Sequence, residues 1–326
     1  MGFSYLNVFN SLFFDIESHK DIKRTLEQAS DVLDSLITKF GEIQNELTLG
    51  ISGNDDFVDT VVILFIRKIM EQLDAINVLY STSLFSPAEV LLRSLLENII
   101  GLQFILKEDT ERRAAAYYLE HHYEELKKAD RYFNEQSKSG KAMLDDIGSE
   151  RFQLYHEACE KKRAALGRII ESNEIFKGID IARKKKIQSK KNKRAKHPHV
   201  QWYEVCSNVT TFRGMMIETG YGKYYDGIYG GLSLETHGLN ATMAMHPDED
   251  GFLLKWIRDP SGGGTTLSLV CTFSVGTLVK LYRYLGDGKD ERAEFRDFFT
   301  SFTVKRNQAI YDLDDIHAYS PRRKDE

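Results

Sequence analysis

Residues 86–106, SPAEVLLRSLLENIIGLQFIL, set an arginine and a glutamate into a run otherwise dominated by leucine, isoleucine and phenylalanine. Ser86 suits a helix cap, Pro87 a first helical position, and Glu89 the acid of a capping box, so the spacing predicts a helix to about residue 107. Arg93 and Glu97 stand four apart and share one face of it. A soluble chain that buries such a pair either uses it to hold a helical bundle in register or builds a polar site around it.

The flanking segments decide for a bundle. Residues 20–47 repeat apolar positions at helical spacing with charges between them, and 56–81 are apolar nearly all round at their start, as in a helix packed among others. Further helices are expected at 111–137, 149–173, 204–218, 224–237, 265–285 and 289–303, with a short strand at 252–257. Five prolines in 326 residues favour long helices over many loops. The expected fold class is therefore all-α, a multi-helix bundle with a central basic insertion and at most one short hairpin. An amphipathic helix region at 1–55 would precede a single helical domain at 56–304, and a C-terminal tail would occupy 305–326, loose over HAYSPRRKDE at its end.

Composition narrows the function classes. Hydrophobic content of 42% and charged content of 29% are ordinary for a globular protein, and a net charge of −5 speaks against a chain that coats nucleic acid with its whole surface. Cys159, Cys206 and Cys271 lie too far apart for a metal knuckle or a disulfide framework, which points to a reducing cytoplasm. The N-terminal stretch lacks a basic n-region and meets Asp15 and Glu17 early, unlike a signal peptide. The uncharged run 261–279 is rich in Gly, Ser and Thr and reads as a buried core helix, so no membrane partner is expected.

Two polar features stand out. Residues 183–196, RKKKIQSKKNKRAK, carry nine basic residues and no acid. They read as a solvated linker (about 183–199) or as a phosphate-binding strip built from Lys184, Lys185, Lys186, Lys190, Lys191, Lys193, Arg194 and Lys196. Without interleaved aromatics such a strip would bind nucleic acid nonspecifically. Trp202, just beyond, is expected to dock the returning chain on the core. The second feature is Tyr229, Ser233 and His237 in IYGGLSLETHG, spaced four and four on one helical face. If that face meets the 86–106 helix, a mutual Arg93–Glu97–His237–Ser233 network forms inside the bundle.

LLRSLLENI, ERRAAAYY, QWYEV and YGGLSLETHG together resemble a bacterial family catalogued as domain-of-unknown-function family 5677. The likeness spans roughly residues 60–245, with Thr236 where the family has a small or apolar residue. The resemblance implies a bacterial cytosolic helical protein with an Arg/Glu helix and a later Tyr/Ser/His helix, and it brings no agreed reaction. An Arg/His pairing of this kind is similar in class to that of the HEPN ribonucleases, many of them toxins or antiviral effectors. Their own Arg-to-His spacing is met by Arg194 and His199. Metal-free RNA cleavage needs a base for the 2′-hydroxyl and a cation for the phosphorane. In that role His237 is the base or acid and Arg93 the phosphate clamp, Glu97 orients one of them, and Ser233 or Tyr229 bonds substrate.

Other chemistry finds little support. No Glu-x-x-His tetrapeptide, Walker loop, Rossmann pattern or G-x-S-x-G elbow occurs. His121 with Glu125, and the MHPDED segment at 245–250, read as wet surface. No metal and no cofactor is expected. The expected function is to act on or sense RNA or nucleotides, as a metal-independent ribonuclease-like effector in a toxin or phage-defence role. The alternative is a non-catalytic module, a homodimer or a binder of a partner protein, in which the polar network is structural.

Overall fold

The computed structural model describes residues 13–51, 57–192, 199–232, 245–248, 251–286 and 289–316. The fold is all-α, as expected. In chain order the long helices are α1 (Lys20–Gly50), α2 (Phe57–Ser81), α3 (Phe85–Lys107), α4 (Thr110–Tyr132), α5 (Lys138–Ile147), α6 (Ser149–Ser172) and α7 (Glu174–Asn192). Two short helices follow, α8 (Trp202–Cys206) and α9 (Phe212–Glu218), then a 3₁₀ turn at Gly222–Tyr224 and a π-helical turn at Tyr225–Tyr229. The strands β1 (Met245–Asp248) and β2 (Gly251–Leu254) form an antiparallel hairpin with Met245 opposite Leu254 and Asp248 opposite Gly251. α10 (Gly263–Leu285) and α11 (Lys289–Asp314) close the chain.

The chain divides into two compact units. The first comprises residues 1–53, 62–106 and 216–326, the second 54–61 and 107–215. The N-terminal helix belongs to the first unit. α1 buries Leu26, Leu33, Leu36 and Phe40 and packs on α10 and α11, because a stripe that apolar needs a cover. Of the expected tail, residues 305–314 continue α11, whose stripe runs on through Phe302, Ala309 and Leu313, all buried; residues 317–326 lie outside the described residues.

Polar side chains fix the register of the first unit. Asn77 of α2 accepts from Ser30 Oγ (2.7 Å) and donates to Asp34 (2.7 Å) on α1. Gln72 of α2 pairs with Ser94 (2.6 Å) and Asn98 (3.1 Å) of α3. The buried Tyr80 hydroxyl donates to the Gly263 carbonyl at 2.6 Å, and burial raises its pKa well above the usual phenol value. Deepest of all, Gln103 Nε2 donates to Thr277 Oγ1 (2.8 Å) and to the Tyr221 hydroxyl (3.4 Å). Gly276 leaves room for that tyrosine, since a methyl group at residue 276 would overlap its oxygen. Gly276→Ala is therefore expected to cost about 1–3 kcal/mol by displacing Tyr221 from Gln103. Urea unfolding beside a Gly50→Ala control, where added atoms meet open space, checks it; equal losses would refute the overlap.

α10 is, among the described residues, the one helix long and apolar enough to cross a membrane; just over half of its most apolar window is buried within the fold.

The second unit has its own core, in which Ala115, Leu119, Leu166, Phe176, Ile179 and Val205 pack together. Trp202 packs edge-on to Tyr117 at 5.5 Å between ring centres, docking the returning chain as expected. Three boundaries differ from expectation. The helix expected at 111–137 ends at Tyr132, and α5 restarts where Ser137 Oγ caps the Gly140 amide. The helix expected at 204–218 is split because Ser207 turns extended and its Oγ takes the Val209 amide. The basic run is no linker through Asn192: it is the last half of α7.

Candidate functional site

α3 turns Leu92, Leu95, Leu96 and Ile99 into the core of the first unit, which leaves Arg93 and Glu97 on its outer stripe. Their side chains are 21% and 45% exposed, so the pair is half-open to solvent rather than buried as the sequence suggested. The physical reason lies in the partner. Tyr229, at the end of the π-helical turn, lays its ring against the guanidinium, with Arg93 Cζ 4.7 Å from the ring centre. The phenol accepts from Arg93 Nη2 (3.2 Å) and donates to Glu97 Oε1 (2.8 Å), while Arg93 Nε reaches the same Glu97 oxygen at 3.4 Å.

A cation over an aromatic face, with the phenol oxygen as a second contact, is stabilised without deep burial. Burial pulls the Arg93 pKa down, but the hydrogen bonds it donates to Tyr229 and Glu97 outweigh it and leave it raised. Burial and the Glu97 carboxylate raise Tyr229 above the usual phenol value, against the opposing pull of Arg93. The phenol is thus neutral at pH 7: it positions the ion pair and is no base. The triangle presents a fixed cation and a carboxylate at the surface of a rigid helix.

Of the five residues expected at the site, the structure brings together Arg93, Glu97 and Tyr229; Ser233 and His237 lie outside the described residues. The basic candidates scatter. Lys184 pairs with Asp180 at 2.6 Å. Lys185 and Lys191 are exposed on α7. Lys186 turns inward to the carbonyls of Glu204 and Ser207, and Lys190 to Glu204 (2.8 Å) and the His199 carbonyl (2.7 Å). Lys193, Arg194 and Lys196 lie outside the described residues.

A polar cluster in the second unit was missed from sequence. Arg183 sits over the Tyr123 ring, 4.0 Å from its centre, and its Nε donates to Glu120 Oε2 at 3.2 Å. Tyr123 donates to Asp180 at 2.5 Å. The cluster borders a cavity of about 510 Å³ lined by Arg163, Arg183, Lys184, His199 and the apolar Leu166 and Ile187. Its one legible signal was Asp180, Arg183 and Lys184 within a single turn. Among the described residues Glu120, Glu124 and His199 alone lie close enough to share a metal ion.

A family model described as a family of unknown function (DUF5677) matches residues 59–252, more than half of the chain. The chain belongs to that family. The DUF5677 match takes in Arg93, Glu97 and Tyr229, the positions of Ser233 and His237, and the whole Glu120–Arg183 cluster, whereas α1, α10 and α11 lie outside it. No curated protein and no solved structure matches.

Proposed function

We propose that the chain acts on, or senses, RNA or a nucleotide through the Arg93–Tyr229–Glu97 face, as a metal-independent ribonuclease-like effector of a bacterial cytosol. One observation carries this reading: the Arg93 guanidinium is held from two sides yet remains partly open to solvent. A bundle-register pair would be enclosed; a phosphate clamp has to be fixed and reachable at once. Glu97 and the phenol orient the clamp, and His237, eight residues after Tyr229 in sequence, supplies the titratable imidazole. Lys185 and Lys191 on α7 add a nonspecific attraction for polyanions. A toxin or phage-defence role follows from the chemical class alone.

The test is cleavage of labelled total RNA in EDTA by wild type, His237→Ala and Arg93→Ala, each confirmed as folded. Cutting by wild type, with losses of roughly a hundredfold or more in both variants, supports the proposal. Arg93→Ala should still unfold within about 1 kcal/mol of wild type, since half-exposed ion pairs add little. A second reading, a non-catalytic module that binds a partner protein, is favoured by Val304 and Tyr311, seven residues apart on α11 and each 68% exposed. Absence of cutting and of RNA binding in wild type would shift the weight to that reading.

A further inference from the structure

We propose that Glu120, Glu124 and His199 form a binding site for a first-row divalent cation of the zinc type, in the second unit. Glu120 and Glu124 are four apart on α4 and project side by side, while His199 begins the segment that leads into α8. One donor atom from each lies within 4.8 Å of the other two, with His199 Nδ1 3.9 Å from Glu124 Oε1. Donors around a tetrahedral zinc stand about 3.4 Å apart at bonds near 2.0–2.1 Å, so side-chain rotations of an ångström or less close the site.

A second observation marks the spot as more than two acids and a histidine. Glu120 is 9% exposed, and its carboxylate is only half satisfied: Oε2 accepts from Arg183, while Oε1 is buried without a hydrogen-bond partner. A buried carboxylate oxygen left so is costly, and its native arrangements are few. A metal ion at Oε1 satisfies it, and Arg183 on Oε2 then acts as the outer hydrogen bond that orients a ligating carboxylate.

Two carboxylates and a neutral imidazole offset a divalent cation, while Arg183 stays on Glu120 Oε2 as a further positive charge. Glu124 now bonds Lys127 (2.9 Å), whose side chain is 64% exposed and can withdraw into solvent. One contact must change. Gln201 Nε2 lies 2.9 Å from His199 Nε2 and donates to it, which leaves the ring proton on Nδ1. Ligation through Nδ1 moves that proton to Nε2, and a half-turn of the Gln201 amide presents its oxygen as acceptor, at the cost of the helix-capping bond Gln201 makes to the Glu204 amide. The donor set is too soft for magnesium, which prefers oxygen ligands alone. Such an ion would clip the chain after α7 to α4.

Isothermal titration of Zn²⁺ into the chelator-stripped full chain at pH 7, with Co²⁺ absorption as a reporter of geometry, tests the site. One ion per chain is expected, with no Mg²⁺ binding at the same concentration. Affinity should fall roughly tenfold or more in His199→Ala and in Glu124→Gln. It should be unchanged in His121→Ala, which removes a surface pair with Glu125 that would bind metal adventitiously. No uptake by wild type, uptake that survives His199→Ala, or uptake lost in His121→Ala overturns the proposal. None of these readouts depends on RNA cleavage.

Discussion

Replacing Arg183 with alanine is expected to destabilise the second unit by about 3–5 kcal/mol at pH 7, the cost of leaving a buried carboxylate without its counterion. The side chains of Arg183 and Glu120 are 17% and 11% exposed, so water cannot take over the screening. The effect should depend on pH in a defined direction. Burial already holds the Glu120 pKa above the usual carboxylate value, against the pull of Arg183. A carboxyl raised in the folded state keeps a proton that the unfolded chain has released. Its penalty is absent below the unfolded value near 4.3 and complete above the folded one, so stability falls as pH rises through that window. Loss of Arg183 pushes Glu120 higher still and widens the window. Urea unfolding followed by Trp202 fluorescence, in a Trp256→Phe background so that the second unit alone reports, should show a loss that grows from acid to neutral pH. A loss below 1 kcal/mol, or one flat from pH 4 to 8, would refute the account.

The fold was legible where apolar spacing and burial coincide. Leu26, Leu33, Leu36 and Phe40 announce α1 without any tertiary knowledge. In the basic run, charge density masks the helical spacing. Ile179 and the partly buried Ala182 and Ile187 keep a stripe against the second core, and Lys186 and Lys190, four apart, face inward together to the carbonyls and carboxylate around α8. Long alkyl stems let lysine do this at little cost. The site was half legible. An ion pair four apart in an apolar helix is a local signal, but which stripe faces solvent depends on packing, and Arg93 and Glu97 lie on the open one. Gln103, Tyr221 and Thr277 gave no sign at all, since three polar residues spread over 174 positions become a network only once α3 and α10 are packed.

Lys39 shows the same physics in the first unit, with a redundancy that predicts a non-additive result. Its side chain is 6% exposed, and its ammonium bonds Glu42 at 2.6 Å and Glu294 at 2.5 Å, within 6 Å of the Tyr282 and Phe298 rings. Burial works against the charge, but the bonds to Glu294 and Glu42 outweigh it and the Lys39 pKa ends above the ordinary lysine value. Both acids are more than half exposed, so neither suffers when the lysine goes; the lysine suffers when they go. Either Glu42→Gln or Glu294→Gln leaves one carboxylate on the ammonium and should cost about 1 kcal/mol or less. The double variant strands a buried cation and should cost about 3 kcal/mol, a coupling of at least about 1 kcal/mol between residues 252 positions apart in sequence. Lys39→Met in the double-variant background should then restore most of the loss, because a flexible apolar chain fills the same space without a charge to satisfy. Chemical unfolding of the four variants closes the cycle, and strictly additive losses would mean that the ammonium finds water instead of carboxylate.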